Sequence, residues 1–265
     1  MASQQLLLGS GAGKKPLGVN DVFRMDGYEG SGSSAQTLAR GLDLSTEGGM
    51  GFVSPMESTE DKYLFTKTLG AGWTMELNSN SFGVGAYTNS FGTDGFELKG
   101  DDSVRSNRTG RQYVQRTWRN ADKFFREFKY TGNGTNGRTI THNLGSTPGM
   151  IWFKSSSGMA IWHSSLGTFN SGGVPWGYYL RNSSDPANNA DIVIRNVNST
   201  TFTVGDSGLS NNNGTTYYCM CFAEAESAFG PNGDAAIAKI GSYSGNSSSN
   251  GPQVNCGFRP AMVMI

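Results

Sequence analysis

Three stretches of this chain carry the same elements in the same order, and this repeat restricts the fold more than any other feature. The middle copy reads Tyr130-Thr-Gly-Asn-Gly-Thr-Asn-Gly-Arg-Thr-Ile, then Leu144-Gly, then Pro148-Gly-Met-Ile-Trp-Phe. Upstream stand Tyr28-Glu-Gly-Ser-Gly, Gln36-Thr-Leu, Leu42 and Gly49-Met-Gly-Phe-Val. Downstream stand Tyr243-Ser-Gly-Asn, Gly251, Val254, Asn255-Cys-Gly and Pro260-Ala-Met-Val-Met-Ile. Tyr28 and Tyr130 are 102 positions apart, and Tyr130 and Tyr243 are 113 apart. Later elements agree as well. Phe65-Thr-Lys-Thr-Leu-Gly matches Trp162-His-Ser-Ser-Leu-Gly, and Trp73 to Leu77 matches Trp176 to Leu180. Phe96-Glu-Leu matches Phe202-Thr-Val, while Gly110, Tyr113 and Trp118 match Gly214, Tyr217 and Phe222. A period this long exceeds a solenoid unit and indicates whole domains in tandem.

Short runs of alternating polarity lie between Gly/Ser/Asn/Thr clusters, for example Arg138-Thr-Ile-Thr and Thr201-Phe-Thr-Val. Such period-2 runs bounded by turn residues predict strands. Only residues 121–128 and 234–240 carry a pattern that predicts a helical turn or two. Glycine fills 38 of 265 positions, about twice its usual share, as turn-rich β structure requires. The reading is an all-β chain of tandem β-sandwich-like domains. Residues 1–21 form an extended N-terminal arm, 22–122 and 126–226 two complete repeats, and 237–265 the opening strands of a third.

Charge excludes several functions. Lys+Arg and Asp+Glu both number 21, so no basic excess exists to neutralise a phosphate backbone, and nucleic acid is not expected as a partner. No apolar run reaches the length of a membrane-spanning helix, so no membrane insertion is expected. The opening segment lacks the basic leader and apolar stretch of a secretory signal. Three cysteines are too few for a disulfide scaffold.

Motifs that suggest chemistry do not hold together. Gly132-Asn-Gly-Thr-Asn-Gly fits the dinucleotide pattern, but a strand rather than a helix is expected after it, so it predicts a hairpin turn. Gly9-Ser-Gly-Ala-Gly-Lys-Lys lacks the spacing and final Ser/Thr of a phosphate loop. Cys219-Met-Cys puts both sulfurs on one face of a strand apolar on both sides, which predicts a central buried strand rather than a zinc site. His142, His163 and Cys256 stand at unrelated positions. No metal, cofactor or catalytic residue is therefore expected. Trp73 and Trp176, in matching places of the two repeats, read first as core residues, because both units keep them, and second as candidates for stacking on a glycan. The Asn-x-Ser/Thr triplets, Asn107 and Asn213 among them, follow from composition.

Three segments carry a resemblance: the opening MASQQLLLGSGAGKK with Asp21-Val-Phe, the junction Trp118-Arg-Asn-Ala with Phe124-Phe, and the run from Tyr130-Thr-Gly-Asn-Gly to Thr147-Pro-Gly-Met-Ile. Together they resemble a family of virion structural proteins of marine bacteriophages, of the cyanophage type, often described as tail-fibre proteins with tandem β-rich domains. The resemblance implies a non-enzymatic virion component, made in the host cytoplasm and assembled on the particle. A tail fibre that takes part in host attachment, binding a cell-surface glycan or protein, is the leading expectation. A capsid decoration or head–tail connector protein is the alternative, and a polysaccharide-degrading tailspike-type enzyme the second alternative. The arm then serves for attachment to other virion proteins. Leu6, Leu7 and Leu8 are its apolar anchors and Lys14 and Lys15 its charged contacts, with sister subunits in a homo-oligomer, a trimer being one arrangement. Relatives run on past the element matching Met262-Val-Met-Ile, so Ile265 is not expected to be a natural domain end.

Overall fold

The computed structural model describes residues 16–57, 62–77, 82–84, 87–100, 105–181, 187–189, 191–224 and 228–264. The arm residues Leu6, Leu7, Leu8, Lys14 and Lys15 lie outside the described residues. The chain is all-β, and every ladder is antiparallel. The first repeat supplies β1 (Phe23–Glu29), β2 (Gln36–Leu38), β3 (Gly49–Pro55), β4 (Tyr63–Thr66), β5 (Trp73–Glu76), β6 (Phe82–Val84), β7 (Thr88–Gly92), β8 (Gly95–Leu98) and β9 (Gln112–Arg119). The second supplies β10 (Phe125–Thr131), β11 (Arg138–Thr141), β12 (Pro148–Ser155), β13 (Gly158–His163), β14 (Thr168–Ser171), β15 (Val174–Gly177), β16 (Leu180–Arg181), β17 (Ile194–Arg195), β18 (Thr201–Val204) and β19 (Thr216–Ala223).

Strand order repeats with the sequence. The large sheet of unit 1 runs β1-β9-β3-β4-β5-β6, and that of unit 2 runs β10-β19-β12-β13-β16. The small sheets run β2-β8-β7 and β11-β18-β17. Register repeats too. Tyr28 faces Tyr113 across β1 and β9, and Tyr130 faces Tyr217 across β10 and β19. Phe52 pairs with Arg116 and Leu64, as Trp152 pairs with Met220 and Ile161.

The two units do not sit end to end. Successive side chains of a strand point to opposite faces, and both large sheets are apolar on both. One face of each covers its own small sheet. Leu38, Val53, Phe65, Phe96 and Tyr113 fill that layer in unit 1, and Ile140, Phe153, Phe202, Cys219 and Cys221 fill it in unit 2. The other faces meet each other. Met50, Phe52, Leu64, Met75 and Trp118 of unit 1 form one core with Phe125, Trp152, Met159, Met220 and Phe222 of unit 2. The stack is therefore small sheet, large sheet, large sheet, small sheet. Cys219-Met-Cys lies on the central strand β19, with the cysteines toward the small sheet and Met220 toward unit 1.

Two expectations need correction. Residues 121–128 and 234–240 hold no helix. Lys123 adopts φ +60, a left-handed conformation that ends any helix there, and β10 begins at Phe125. Ala235 instead bridges Phe229. The opening strands expected in 237–265 are not formed among the described residues, 236–264. The sheet order explains why. In both units the first and third strands never touch, because the last strand lies between them: β1-β9-β3 and β10-β19-β12. Among the described residues no strand stands between the matching segments at Tyr243 and Pro260. Tyr243 is 50% exposed, whereas Tyr28 is buried. Ile237, Ala238, Ile240 and Met262 lie instead against the core between the units.

Candidate functional site

The most repeated residues build a duplicated socket that has a structural purpose. Tyr28 stacks on Tyr113 at 5.2 Å and Tyr130 on Tyr217 at 5.3 Å. The Tyr28 hydroxyl donates to the Ser106 carbonyl at 2.6 Å, and the Tyr130 hydroxyl donates to the Ser210 carbonyl. Beside each pair sits a fully buried asparagine. Asn107 accepts the Ser31 N–H at 2.9 Å and donates to the Ser34 and Lys99 carbonyls at 3.1 and 3.0 Å. Asn211 accepts the Asn133 N–H at 3.0 Å and donates to the Thr135 carbonyl at 2.9 Å. Gly30 and Gly132 close the sockets. A Cβ on them would come within 2.0 Å of the Arg108 oxygen and 2.1 Å of the Asn212 oxygen. The glycine of the dinucleotide-like segment is thus required by backbone contact, and β11 follows it. Asn107 spends its amide on loop closure inside the protein.

The histidine and cysteines are also accounted for by packing. His142 is buried and lies parallel to the Phe202 ring, with Nε2 3.0 Å from the Asn198 carbonyl oxygen and Nδ1 accepting the Leu144 N–H at 3.1 Å. Burial holds its basicity below the ordinary histidine range. Burial likewise pushes the Cys219 and Cys221 thiols upward, away from the thiolate a metal would need. Among the described residues no three His, Cys, Asp or Glu side chains gather as metal ligands.

Two ionisable side chains sit in the joint between units. Glu127 of β10 reaches into unit 1, where its Oε1 accepts the Thr68 N–H at 3.1 Å, and its own N–H donates to Asn120 Oδ1 at 2.8 Å. Desolvation pushes its carboxyl up to about 7, against the pull of hydrogen bonds from Thr68, Gly49 and Thr66. Lys154 of β12 is fully buried, which pulls its ammonium down to about 8, while Glu76 of unit 1 favours the charged form.

The two tryptophans chosen as stacking candidates turn out not to be equivalent. Leu64 pairs with Met75, and the matching Ile161 pairs with Leu180. The position matching Trp73 is therefore Tyr178. Trp176 belongs to the β14–β15 hairpin, which unit 2 carries between β13 and β16. Trp176 is buried, and the Arg195 guanidinium lies 4.8 Å from its ring centroid. It cannot offer a free face to a sugar. Trp73 is 43% exposed. It lines a cleft of about 440 Å³ between the units with Leu69, Ser156, Thr215, Thr216 and Tyr218.

A second cleft, of about 370 Å³, lies wholly in unit 2. Half-buried Trp162 and Val197 and exposed Pro175 supply apolar wall, Arg195 supplies a cation, and Ser164 and Thr168 supply hydroxyls. Trp162 is fixed in place by Gly177, where a Cβ would fall 2.5 Å from the indole nitrogen. Arg195 is held from below by Trp176. Its Nε is buried without a hydrogen-bond partner among the described residues. Neither Trp162 nor Arg195 stands out from composition or motif. The one signal near them is that residues 164–179, which supply Thr168, Pro175 and Gly177 to the same cleft, are longer than the matching turn 67–72 of unit 1.

No curated protein and no solved structure matches the chain. The sequence profile of one family, described as a domain of unknown function, DUF7483, matches residues 19–265. That span takes in both units, both clefts and the segment after them, so the chain belongs to the DUF7483 family.

Proposed function

We propose that this protein is a non-catalytic structural and binding component of a bacteriophage particle, a tail fibre or fibre-like appendage that takes part in host attachment. The resemblance at Tyr130-Thr-Gly-Asn-Gly to Met150-Ile leads to this reading. The observation that carries it is the contrast between the units. A duplicated frame devotes its shared polar residues to closing loops, while the hairpin present only in unit 2 borders an open cleft of mixed aromatic and polar character through Thr168, Pro175 and Gly177. That is the division of labour of a scaffold displaying a binding site. A glycoside hydrolase needs two carboxylates facing each other, whereas the carboxylate beside the unit 2 cleft is Glu224, 3.5 Å from the Ser164 hydroxyl, with none facing it among the described lining residues. Attachment through the N-terminal arm and assembly with sister subunits are part of the same proposal.

Gold-labelled antibody against the folded chain, applied to purified phage, tests it. Label at the tail together with reduced adsorption of phage to host cells is the expected result. Label confined to the head replaces the fibre reading with the decoration reading. No label on the particle overturns both.

A further inference from the structure

We infer that the unit 2 cleft at Trp162 and Arg195 binds a carboxylated pyranose, the uronic-acid type of sugar residue, within a polysaccharide. The site gives the binding role proposed above its ligand class and rests on that reading.

The cation comes first. Arg195 belongs to none of the ion pairs Arg40–Asp94, Arg119–Glu47, Arg126–Asp122 and Arg181–Asp191. Its guanidinium carbon lies over the Trp176 ring, its Nε has lost water without gaining an acceptor among the described residues, and the group still lines the cleft. A part-desolvated, immobilised guanidinium is short of acceptors, and a planar carboxylate is the anion its donor geometry fits. The remaining walls decide what carries that carboxylate. Trp162 presents an indole locked by Gly177, flanked by Pro175 and Val197. A flat apolar wall suits the C–H face of a pyranose ring. Thr168 stands at the exposed rim, where a sugar hydroxyl would exchange a hydrogen bond with it, while the Ser164 hydroxyl beside it lies 3.5 Å from Glu224 Oε1, a carboxylate the ligand must clear. The volume falls in the range of small-ligand sites, about 300–1,000 Å³. The Trp73 cleft differs in the decisive respect, since no charged side chain lines it among the described residues.

Isothermal titration of the full chain with tetragalacturonate, maltotetraose and inorganic phosphate tests the assignment. Tetragalacturonate is expected to bind, with affinity that falls as salt rises, and maltotetraose and phosphate to bind at least about tenfold more weakly. Arg195→Ala and Trp162→Ala should each weaken binding by about tenfold or more. Because Arg195 also packs on Trp176, a second variant avoids the core. Thr168→Glu sets a carboxylate on the exposed rim to compete for Arg195, and it should weaken binding with unfolding unchanged. Trp73→Ala should leave binding intact. Equal affinity for phosphate or for maltotetraose, or full binding by Thr168→Glu and Trp162→Ala, overturns the site. The titration needs no phage particle, so its failure is distinct from a failure of the particle labelling.

Discussion

Unit 1 passes from β4 to β5 through the turn at residues 67–72, whereas unit 2 makes the same step from β13 to β16 through residues 164–179, with the β14–β15 hairpin inside. Beyond that step the units share the order of their core strands and the tyrosine, asparagine and glycine of the socket, while unit 1 adds β6 at the edge of its large sheet. The agreement marks what the fold needs: tyrosine pairs, buried asparagines and a glycine against a carbonyl in each socket. The disagreement marks what the fold does not need, and there Thr168, Pro175 and Gly177, one side of the Trp162–Arg195 cleft, lie. Two copies within one chain thus separate scaffold from display without any second sequence for comparison.

The comparison is broken most sharply at the socket glycines. Gly30→Val and Gly132→Val each force a side chain into a backbone carbonyl, and each should destabilise by about 4 kcal/mol or more, measured by urea unfolding. Tolerance at one position but not at the other would show that the sockets are not equivalent. The tryptophans should behave in the opposite way. Trp176→Ala removes a buried ring and its arginine contact, for about 3–5 kcal/mol, while Trp73→Ala at an exposed site should stay within about 0.5 kcal/mol. Equal losses would restore the equivalence suggested by sequence.

Asn107→Ala and Asn211→Ala form the next pair. Each strips a buried amide from loop backbone groups, and each should lose about 2–3 kcal/mol in thermal unfolding. A difference well beyond that range would mean that one loop is held by other contacts.

The joint responds to pH in a direction fixed by Glu127. Its folded carboxyl titrates at about 7, against about 4.3 when unfolded. The folded chain therefore binds the extra proton. Stability from this group is greatest below about pH 4.3, falls as pH rises toward 7, and is level above it, a span of about 3–4 kcal/mol. Glu127→Gln should flatten that part of the profile of stability against pH. An unchanged slope would assign the dependence elsewhere.

Much of this frame was legible in the chain. The repeat, the alternating strands and the burial of Cys219 and Cys221 follow from period and composition, because each is a property of a strand and its own two faces. The pairing of the two large sheets was present only in part, as apolar residues on both sides of Thr216–Ala223. Sequence reveals that a face must be covered, not by what. The Trp73–Trp176 match failed by two residues because a hairpin had been inserted, and sequence comparison sees letters where the sheet sees partners. The strands expected after residue 237 show a related limit, since chain order does not reveal that the first and third strands of a unit pair only through the last. Glu127, Lys154 and Arg195 were not singled out, because their burial arises from contacts between elements far apart in sequence.

The central claim is that the two units share a single core and stand as one body of four layers. Scanning calorimetry of the intact chain tests it most directly. The core of Met50, Phe52 and Trp118 with Trp152, Met220 and Phe222 predicts one cooperative transition, with calorimetric and van't Hoff enthalpies equal. Two resolved transitions, or a calorimetric enthalpy about twice the van't Hoff value, would show units that melt independently and would contradict the shared core.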